Sequence, residues 1–204
     1  MPEYEMKNLS VFFFLFYSTI TFSQNVDINI LKKINLGRNK NMDNTFIFIS
    51  NSITPVSVLT PVSVFFEGYS SHDSLLKNRG LYIGASLLLS TGITLGLKYT
   101  VNRPRPFVTY PEIENITHVG SKSFPSGHTS TAFSTATSLS FAFPKWYVIA
   151  PSFAWACAVG YSRMDLGVHY PSDVIGGALI GAGSAFVCYK ANNWLHKRKA
   201  GKII

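Results

Sequence analysis

The sequence predicts an all-α fold, a membrane-embedded bundle of five or six helices. Only 14% of its 204 residues are charged, against roughly 25% in soluble domains. Apolar segments of helical length recur along the chain, and strand signals are weak. This length suits a single domain. A soluble helical bundle remains the alternative, because some of the segments are shorter than a typical membrane span.

The first element is an apolar leader, MPEYEMKNLSVFFFLFYSTITFSQN. Lys7 precedes about a dozen mostly apolar residues, and the small-residue pattern Thr21-Phe22-Ser23 ends the run, which is the order of a secretory signal peptide. We therefore expect residues 1–23 to be a signal peptide or an uncleaved first membrane helix. Residues 24–204 then form the remaining domain.

Two weaker elements follow the leader. The stretch Asp27–Asp43 has apolar residues in helical spacing, so we expect it to lie on the membrane surface or to cap the bundle. The segment Thr45–Phe66 contains the sequence TPVSV twice, at 54–58 and 60–64. Its two prolines predict a bent helix, which is tolerable in a bundle where neighbours satisfy the freed backbone groups.

Four stronger hydrophobic segments complete the bundle. They are Leu81–Val101, His128–Phe143, Trp146–Tyr161 and Val174–Tyr189. At a rise of about 1.5 Å per residue, the first of them spans about 30 Å, the thickness of a bilayer core.

The distribution of basic residues predicts an orientation. If residue 24 lies outside, the loops at 67–80 and 144–145 and the C-terminal tail lie inside, and these regions carry many lysines and arginines, as the positive-inside rule requires. The net charge of +8 includes the tail Lys190–Lys202. That tail indicates a juxtamembrane anchor, so no nucleic-acid partner is predicted.

The same orientation places three polar clusters together at the outer face. They cover residues 98–106, 124–128 and 162–173. Their side chains bring cations close to two histidines and one carboxylate, without the carboxylate cluster that a metal ion would need. A phosphate site without metal or cofactor is the resulting prediction. Its members are Lys98, Arg105, Arg163, His128, His169 and Asp173, with Arg103 nearby.

The stretch SFPSGHTS, residues 123–130, predicts a helix start that binds an anion. Pro125 suits a first helical turn. Ser126, Gly127 and His128 then offer backbone N–H groups and a hydroxyl at the positive end of the helix dipole. Gly127 allows close approach of an anion to the backbone.

His169 and Asp173 are four residues apart, and Pro171 marks another helix start, so both side chains can share one face. The carboxylate can fix the histidine tautomer, which makes His169 a candidate nucleophile. His128 is then the acid that protonates the leaving oxygen. Lys98, Arg105 and Arg163 neutralise the charge of the transferred phosphoryl group.

These residues resemble a three-part family signature. Lys98 with Arg105-Pro106, then Pro125-Ser126-Gly127-His128, then Ser162-Arg163 with His169 and Asp173 are similar to the signature of the type 2 phosphatidic acid phosphatase superfamily. The resemblance implies a metal-independent phosphatase of helical-bundle fold. It implies His169 as nucleophile, Asp173 as its partner and His128 as acid. It also implies that Lys98, Arg105, Ser126, Gly127 and Arg163 hold the phosphate. The phosphatase domain is then 24–204, with its motifs at 98–173.

An outward-facing site favours an envelope lipid as substrate: an isoprenoid diphosphate, a lipid A phosphate, phosphatidic acid or phosphatidylglycerol phosphate. The expected location is the inner membrane of a bacterium, with the site facing the periplasm. A secreted, broad-specificity acid phosphatase and a small membrane transporter are the alternatives. The transporter predicts charges at mid-span. We expect Arg103, Tyr110, His118 and Asp165 to be loop or solvated residues.

Overall fold

The computed structural model is all-α and describes residues 25–117, 119–120 and 122–200, with side chains as far as residue 195. No strand occurs within these ranges. The signal-peptide or first-helix prediction for residues 1–23 lies outside the described residues.

The helices follow one another with short connections. Helix α1 covers residues 25–36, and a short 3₁₀ helix, Lys40–Met42, follows it. The remaining helices are α2 (Asp43–Asn51), α3 (Ile53–Ser70), α4 (Ser74–Val101), α5 (Pro106–Thr109), α6 (Gly127–Ala142), α7 (Trp146–Asp165) and α8 (Pro171–Ala200).

The four strong apolar segments are all helices, as predicted; α4, α7 and α8 are longer than predicted, and α6 begins and ends one residue earlier. The predicted bent helix over Thr45–Phe66 is two helices instead, because the chain turns at Ser52 between α2 and α3. Pro55 occupies the first turn of α3, where the missing N–H costs little. Only Pro61 lies inside the helix.

Three stretches of the described chain are long and apolar enough to cross a membrane: Lys40–Ser70, Ser74–Thr109 and Pro171–Leu195. Helix α4 alone has 28 residues and is about 42 Å long. Large apolar side chains such as Leu88, Leu95 and Leu179 point away from the protein and are exposed, which suits a surface solvated by lipid. The prediction of a membrane-embedded bundle is confirmed by this surface together with the comparisons given below.

Helix α6 lies at the centre of the bundle and packs against α4, α7 and α8. Its buried face consists of small residues, among them Ser130, Ser134 and Ala136. A Cβ on Gly177 or Gly181 of α8 would come within 2.6 and 2.2 Å of backbone oxygens of α6. The backbones of α6 and α8 therefore approach each other closely, as small-residue interfaces in membranes allow.

Helix α1 lies across one end of the bundle. Ile28 and Leu31 on its inner face are buried against Ile113 and Tyr170. Asn35, fully buried, donates to the backbone oxygens of Glu114 and Asp165 at 3.0 and 2.8 Å. The capping alternative predicted for this segment is therefore the one observed.

Candidate active site

The three polar clusters meet at the end of the bundle that α1 covers. Arg105 Nη1 donates to the backbone oxygen of Val168 at 2.7 Å, which joins the first cluster to the third. The backbone N–H of Ser126 donates to the carbonyl of Asp173 at 3.0 Å, which joins the second to the third. The clusters lie where α4 and α7 end and where α6 and α8 begin, so the helix ends bring them together as predicted.

His169 is held between a carboxylate and a guanidinium. Its Nδ1 lies 3.3 Å from Asp173 Oδ2, and its Nε2 lies 3.3 Å from Arg105 Nη1. Because arginine can only donate, Nε2 must be the accepting, unprotonated nitrogen, and Nδ1–H then donates to Asp173. Burial lowers the pKa of His169 to about 4, so the ring is neutral at neutral pH with its lone pair on Nε2.

Asp173 is fully buried and receives several donors. It is the third residue of α8, and its Oδ2 accepts from the backbone N–H of Tyr170 at 3.0 Å, as in a capping box. The Ser123 hydroxyl donates to the same oxygen. Arg103 donates to Oδ1 at 2.7 Å. These bonds fix the carboxylate where it can orient the imidazole of His169.

Three further cations are buried beside this pair. Lys98, Arg105 and Arg163 are 8%, 6% and 2% exposed, and all three act electrostatically on His128. Lys98 donates to the Lys122 carbonyl at 2.6 Å. Arg163 donates to the Ser50 hydroxyl, but its Nε has no hydrogen-bond partner among the described residues. Cations withdrawn from water in this way gain strongly from a bound phosphate, which offers charged acceptors to each of them.

The start of α6 differs in detail from the predicted anion cradle. Ser126 is the N-cap, and its buried hydroxyl accepts from the Thr129 backbone N–H at 3.4 Å and hydroxyl at 2.8 Å. Its own N–H is already bonded to the Asp173 carbonyl, so the prediction that this N–H faces the anion is wrong. The N–H groups of Gly127 and His128 remain at the positive helix end.

Gly127 lies against Lys98. It was predicted to be a glycine so that an anion can approach the backbone, and the structure leaves space for a side chain at this position. A Cβ at this position would stand 3.9 Å from Lys98 Cε and from Thr94 Cγ2, which is ordinary van der Waals contact. The protein itself therefore does not require a glycine there. Its missing side chain leaves space beside the Lys98 ammonium. His128 follows it, half-buried.

Sequence reasoning missed two residues of this network and misjudged Asp165. Asp27 and Ser123 received no role, although both are buried and hydrogen-bonded at the site. Arg103 and Asp165 were expected to be loop or solvated residues. Arg103 does lie in the loop between α4 and α5, where two carboxylates hold it, whereas Asp165 ends helix α7 and is 2% exposed.

The signals for these residues were unequal. For Arg103 the signal was its place two residues before Arg105 within the first cluster. For Asp27 none existed, because its partners lie far along the chain. Tyr110, expected to be a loop or solvated residue, lies in the loop after α5, where it is half-buried and packs against the Ile28 cluster. His118 lies outside the described residues.

The fold and these side chains define a class: a membrane-spanning helical protein with a polar end suited to a phosphate group. Among the described residues of this network, the charges gather at helix ends and not at mid-span, which is the arrangement of an enzyme and not of a transport path.

Residues 79–197, more than half of the chain, match the PAP2 superfamily. The chain therefore belongs to the PAP2 superfamily of lipid phosphatases.

Known proteins of this family are similar over most of the chain. The bacitracin transport permease protein BcrC of Bacillus licheniformis is 34% identical over 163 residues, which are 71% of this chain and 77% of that protein. The undecaprenyl-diphosphatase BcrC of Bacillus subtilis is 27% identical over 157 residues, 77% of this chain and 78% of that protein.

A solved structure agrees with the fold. The transmembrane PAP2 type phosphatidylglycerolphosphate phosphatase of Bacillus subtilis superposes with a TM-score of 0.71 at 25% identity, covering 91% of this chain and 94% of that chain. The predicted fold class and enzyme class, an all-α membrane protein and a phosphatase, are confirmed.

Proposed function

We propose that this phosphatase hydrolyses an isoprenoid diphosphate of the bacterial envelope through a phosphohistidine on His169, without a metal ion. The observation that carries the mechanism is the pair of contacts on the His169 ring. Nδ1 faces Asp173 and Nε2 faces Arg105, each at 3.3 Å. A neutral, oriented imidazole with its lone pair beside a buried guanidinium is an activated nucleophile at a phosphate-binding position.

The first step transfers the phosphoryl group to the enzyme. His169 Nε2 attacks the terminal phosphorus, the N–P bond forms, and the bond to the bridging oxygen breaks. His128 acts from its protonated form: burial and the neighbouring cations lower its pKa, and the negative charge of the bound diphosphate opposes this effect and favours the imidazolium. It donates its proton to the leaving oxygen, which departs as the lipid monophosphate. Lys98, Arg105 and Arg163 stabilise the charge on the transferred oxygens. Asp173 stabilises the positive ring of His169 as the bond forms.

The second step releases phosphate. His128, now neutral, accepts a proton from a water molecule that attacks the phosphorus, the N–P bond breaks, and His169 Nε2 regains its lone pair. The two histidines therefore return to their starting protonation states in each cycle. Ser126 and Gly127 contribute the start of α6, where the helix dipole favours the bound anion.

A lipid substrate is supported by the place of the site at the ends of membrane-spanning helices. An isoprenoid diphosphate is supported by the name of the Bacillus subtilis relative. A periplasmic site is supported by charge. Lys77 and Arg79, at the start of α4, and Lys145, just before α7, lie at the opposite end of the bundle, which the positive-inside rule assigns to the cytoplasm.

The test is phosphate release by the purified protein in detergent with EDTA present. The panel contains undecaprenyl diphosphate, lipid A, phosphatidylglycerol phosphate, phosphatidic acid and an aryl phosphate. We expect the highest kcat/KM with undecaprenyl diphosphate, and loss of release in the His169→Ala variant. Preference for another lipid would contradict the substrate, full activity of the variant would contradict the mechanism, and inhibition by EDTA would contradict metal independence.

A further inference from the structure

Arg103 is held in a fixed position between two carboxylates. Its Nη1 donates to Asp173 Oδ1 at 2.7 Å, and its Nη2 donates to Asp27 Oδ2 at 2.8 Å. Its guanidinium lies over the Tyr170 ring, 3.8 Å from the ring centre. Asp173 is fully buried and Asp27 is 7% exposed. A planar cation with both edges and one face engaged cannot move without breaking several contacts.

Asp27 connects helix α1 to the start of α8. Its Oδ1 accepts from the backbone N–H of Ser172 at 2.8 Å, and its Oδ2 accepts from the Ser172 hydroxyl at 2.5 Å. The N–H groups at a helix start have no partner within the helix, and a carboxylate is favoured there. Arg103 also donates to the Ser172 hydroxyl at 2.7 Å. Asp27 therefore fixes both Arg103 and the turn that carries His169.

We propose that Arg103 and Asp27 are positioning residues for the His169–Asp173 pair, with Arg103 holding the Asp173 carboxylate and Asp27 holding and partly neutralising Arg103. This inference rests on the proposed function, because it assigns the pair a role in the same reaction. Neither residue contacts the phosphate in this scheme. Helix α1 thus contributes, through Asp27, to holding the catalytic residues at this end of the bundle.

The two charges act on His169 in opposite directions. Arg103 opposes protonation of the ring, and Asp27 compensates part of that effect. Removing Arg103 should raise the pKa of His169, whereas removing only the charge of Asp27 should lower it. A purely structural role would not produce opposite shifts. The other charged or titratable groups close to His169 include Lys98 on α4, Arg105 before α5, His128 on α6, Arg163 on α7, and Tyr170 and Asp173 beside it. They are unchanged in both variants, as are Asp165, Arg38 and Glu114 farther along the same end.

The test combines a direct titration with kinetics. Histidine NMR signals of the full-length, isotope-labelled protein in detergent micelles are followed against pH, with the His169 signal assigned by its loss in His169→Asn. We expect Arg103→Gln to raise the titration midpoint by about one pH unit and to lower kcat by about tenfold. Asp27→Asn should lower the midpoint, so that the ring stays neutral at a pH where the unaltered protein begins to titrate.

Two further variants separate charge from structure. Arg103→Lys keeps the charge and loses the planar contacts, so kcat falls while the midpoint stays near that of the unaltered protein. Glu114→Gln is the matched control. It weakens the ion pairs of Glu114 with Arg38 and Lys40, which follow α1 in the chain, but leaves Asp27 in place, so we expect neither the midpoint nor kcat to change.

Unshifted midpoints in both Arg103→Gln and Asp27→Asn, or shifts of the same sign, would overturn the inference. The titration needs no substrate, so this result is independent of the reaction. Full activity of His169→Ala in the substrate panel would overturn the proposed function instead, even with the opposite shifts present. If Arg103→Gln fails to fold, a midpoint that is not lowered in Asp27→Asn still contradicts the proposal.

Discussion

The catalytic end and the α6–α8 contact both fill the interior with polar residues, but in different ways. At the catalytic end the side chains are charged, buried and held by directed bonds, such as those from Arg103 to two carboxylates. Along the α6–α8 contact they are small and uncharged, and the glycines of α8 lie against the α6 backbone. The first arrangement fixes chemistry, and the second fixes the distance between helices. Substitutions at the two places should therefore change different measurements.

The largest effect is expected at His169. The His169→Asn variant keeps a donor toward Asp173 but removes the nucleophilic nitrogen, so kcat should fall by about 10³-fold or more. The thermal unfolding midpoint in detergent should change little. A variant that stays within tenfold of the unaltered enzyme would show that His169 does not carry the phosphoryl group.

A smaller loss is expected at Arg105. Arg105→Lys keeps the positive charge but loses the planar fork that contacts both the Val168 carbonyl and His169 Nε2. We expect kcat to fall by about 10²-fold. The matched control is Arg38→Lys, which makes the same replacement at an arginine held by Asp43 and Glu114. Equal losses in the two variants would mean that Arg105 has no specific role.

At the helix contact the effect should be on stability. In Gly181→Ala the new Cβ would lie 2.2 Å from the Ser130 carbonyl oxygen, so the helices must separate, at a cost of about 1–3 kcal/mol. The control on the same helix is Gly183→Ala, where the Cβ meets nothing within 4 Å and a gain of about 0.5–1 kcal/mol is expected. A lower unfolding midpoint for Gly181→Ala and a higher one for Gly183→Ala, each relative to the unaltered protein, would confirm the close approach. Two equal midpoints would contradict it.

The smallest effect is expected at Gly127. A Cβ there would be in ordinary van der Waals contact with Lys98 and Thr94, so Gly127→Ala should leave the unfolding midpoint unchanged. The methyl group would occupy space beside the ammonium and raise KM by about three- to tenfold. Steady-state kinetics measure this directly. A loss of stability without a change in KM would place Gly127 with the packing glycines of α8.

The features that depend on a local sequence pattern could be predicted from the sequence. Apolar segments gave the helices, and Pro171 and the residue types around it gave the helix start that carries His169 and Asp173. The three polar clusters could be predicted to lie together because each stands at a helix end. Successive helices of the bundle run in opposite directions, so these ends lie on the same side.

What the sequence could not supply depends on tertiary contacts. Asp27 reaches Arg103 across 76 positions and Ser172 across 145, and no local pattern records that contact. The engaged N–H of Ser126 and the role of Arg103 are of the same kind, because each is decided by a partner from another cluster. The break at Ser52 was missed for a different reason. The prediction placed a bend at the two prolines, Pro55 and Pro61, whereas the helix is interrupted before them, at Ser52.

The central claim is that His169 carries the phosphoryl group during turnover. Its most direct test is to mix the purified enzyme with ³²P-labelled undecaprenyl diphosphate, quench in base within milliseconds, and locate the label by peptide mass spectrometry. We expect an acid-labile, base-stable phosphate on the peptide that contains His169, absent from the His169→Asn variant. A label on another residue, or rapid turnover with no label on the enzyme at any time point, would contradict it.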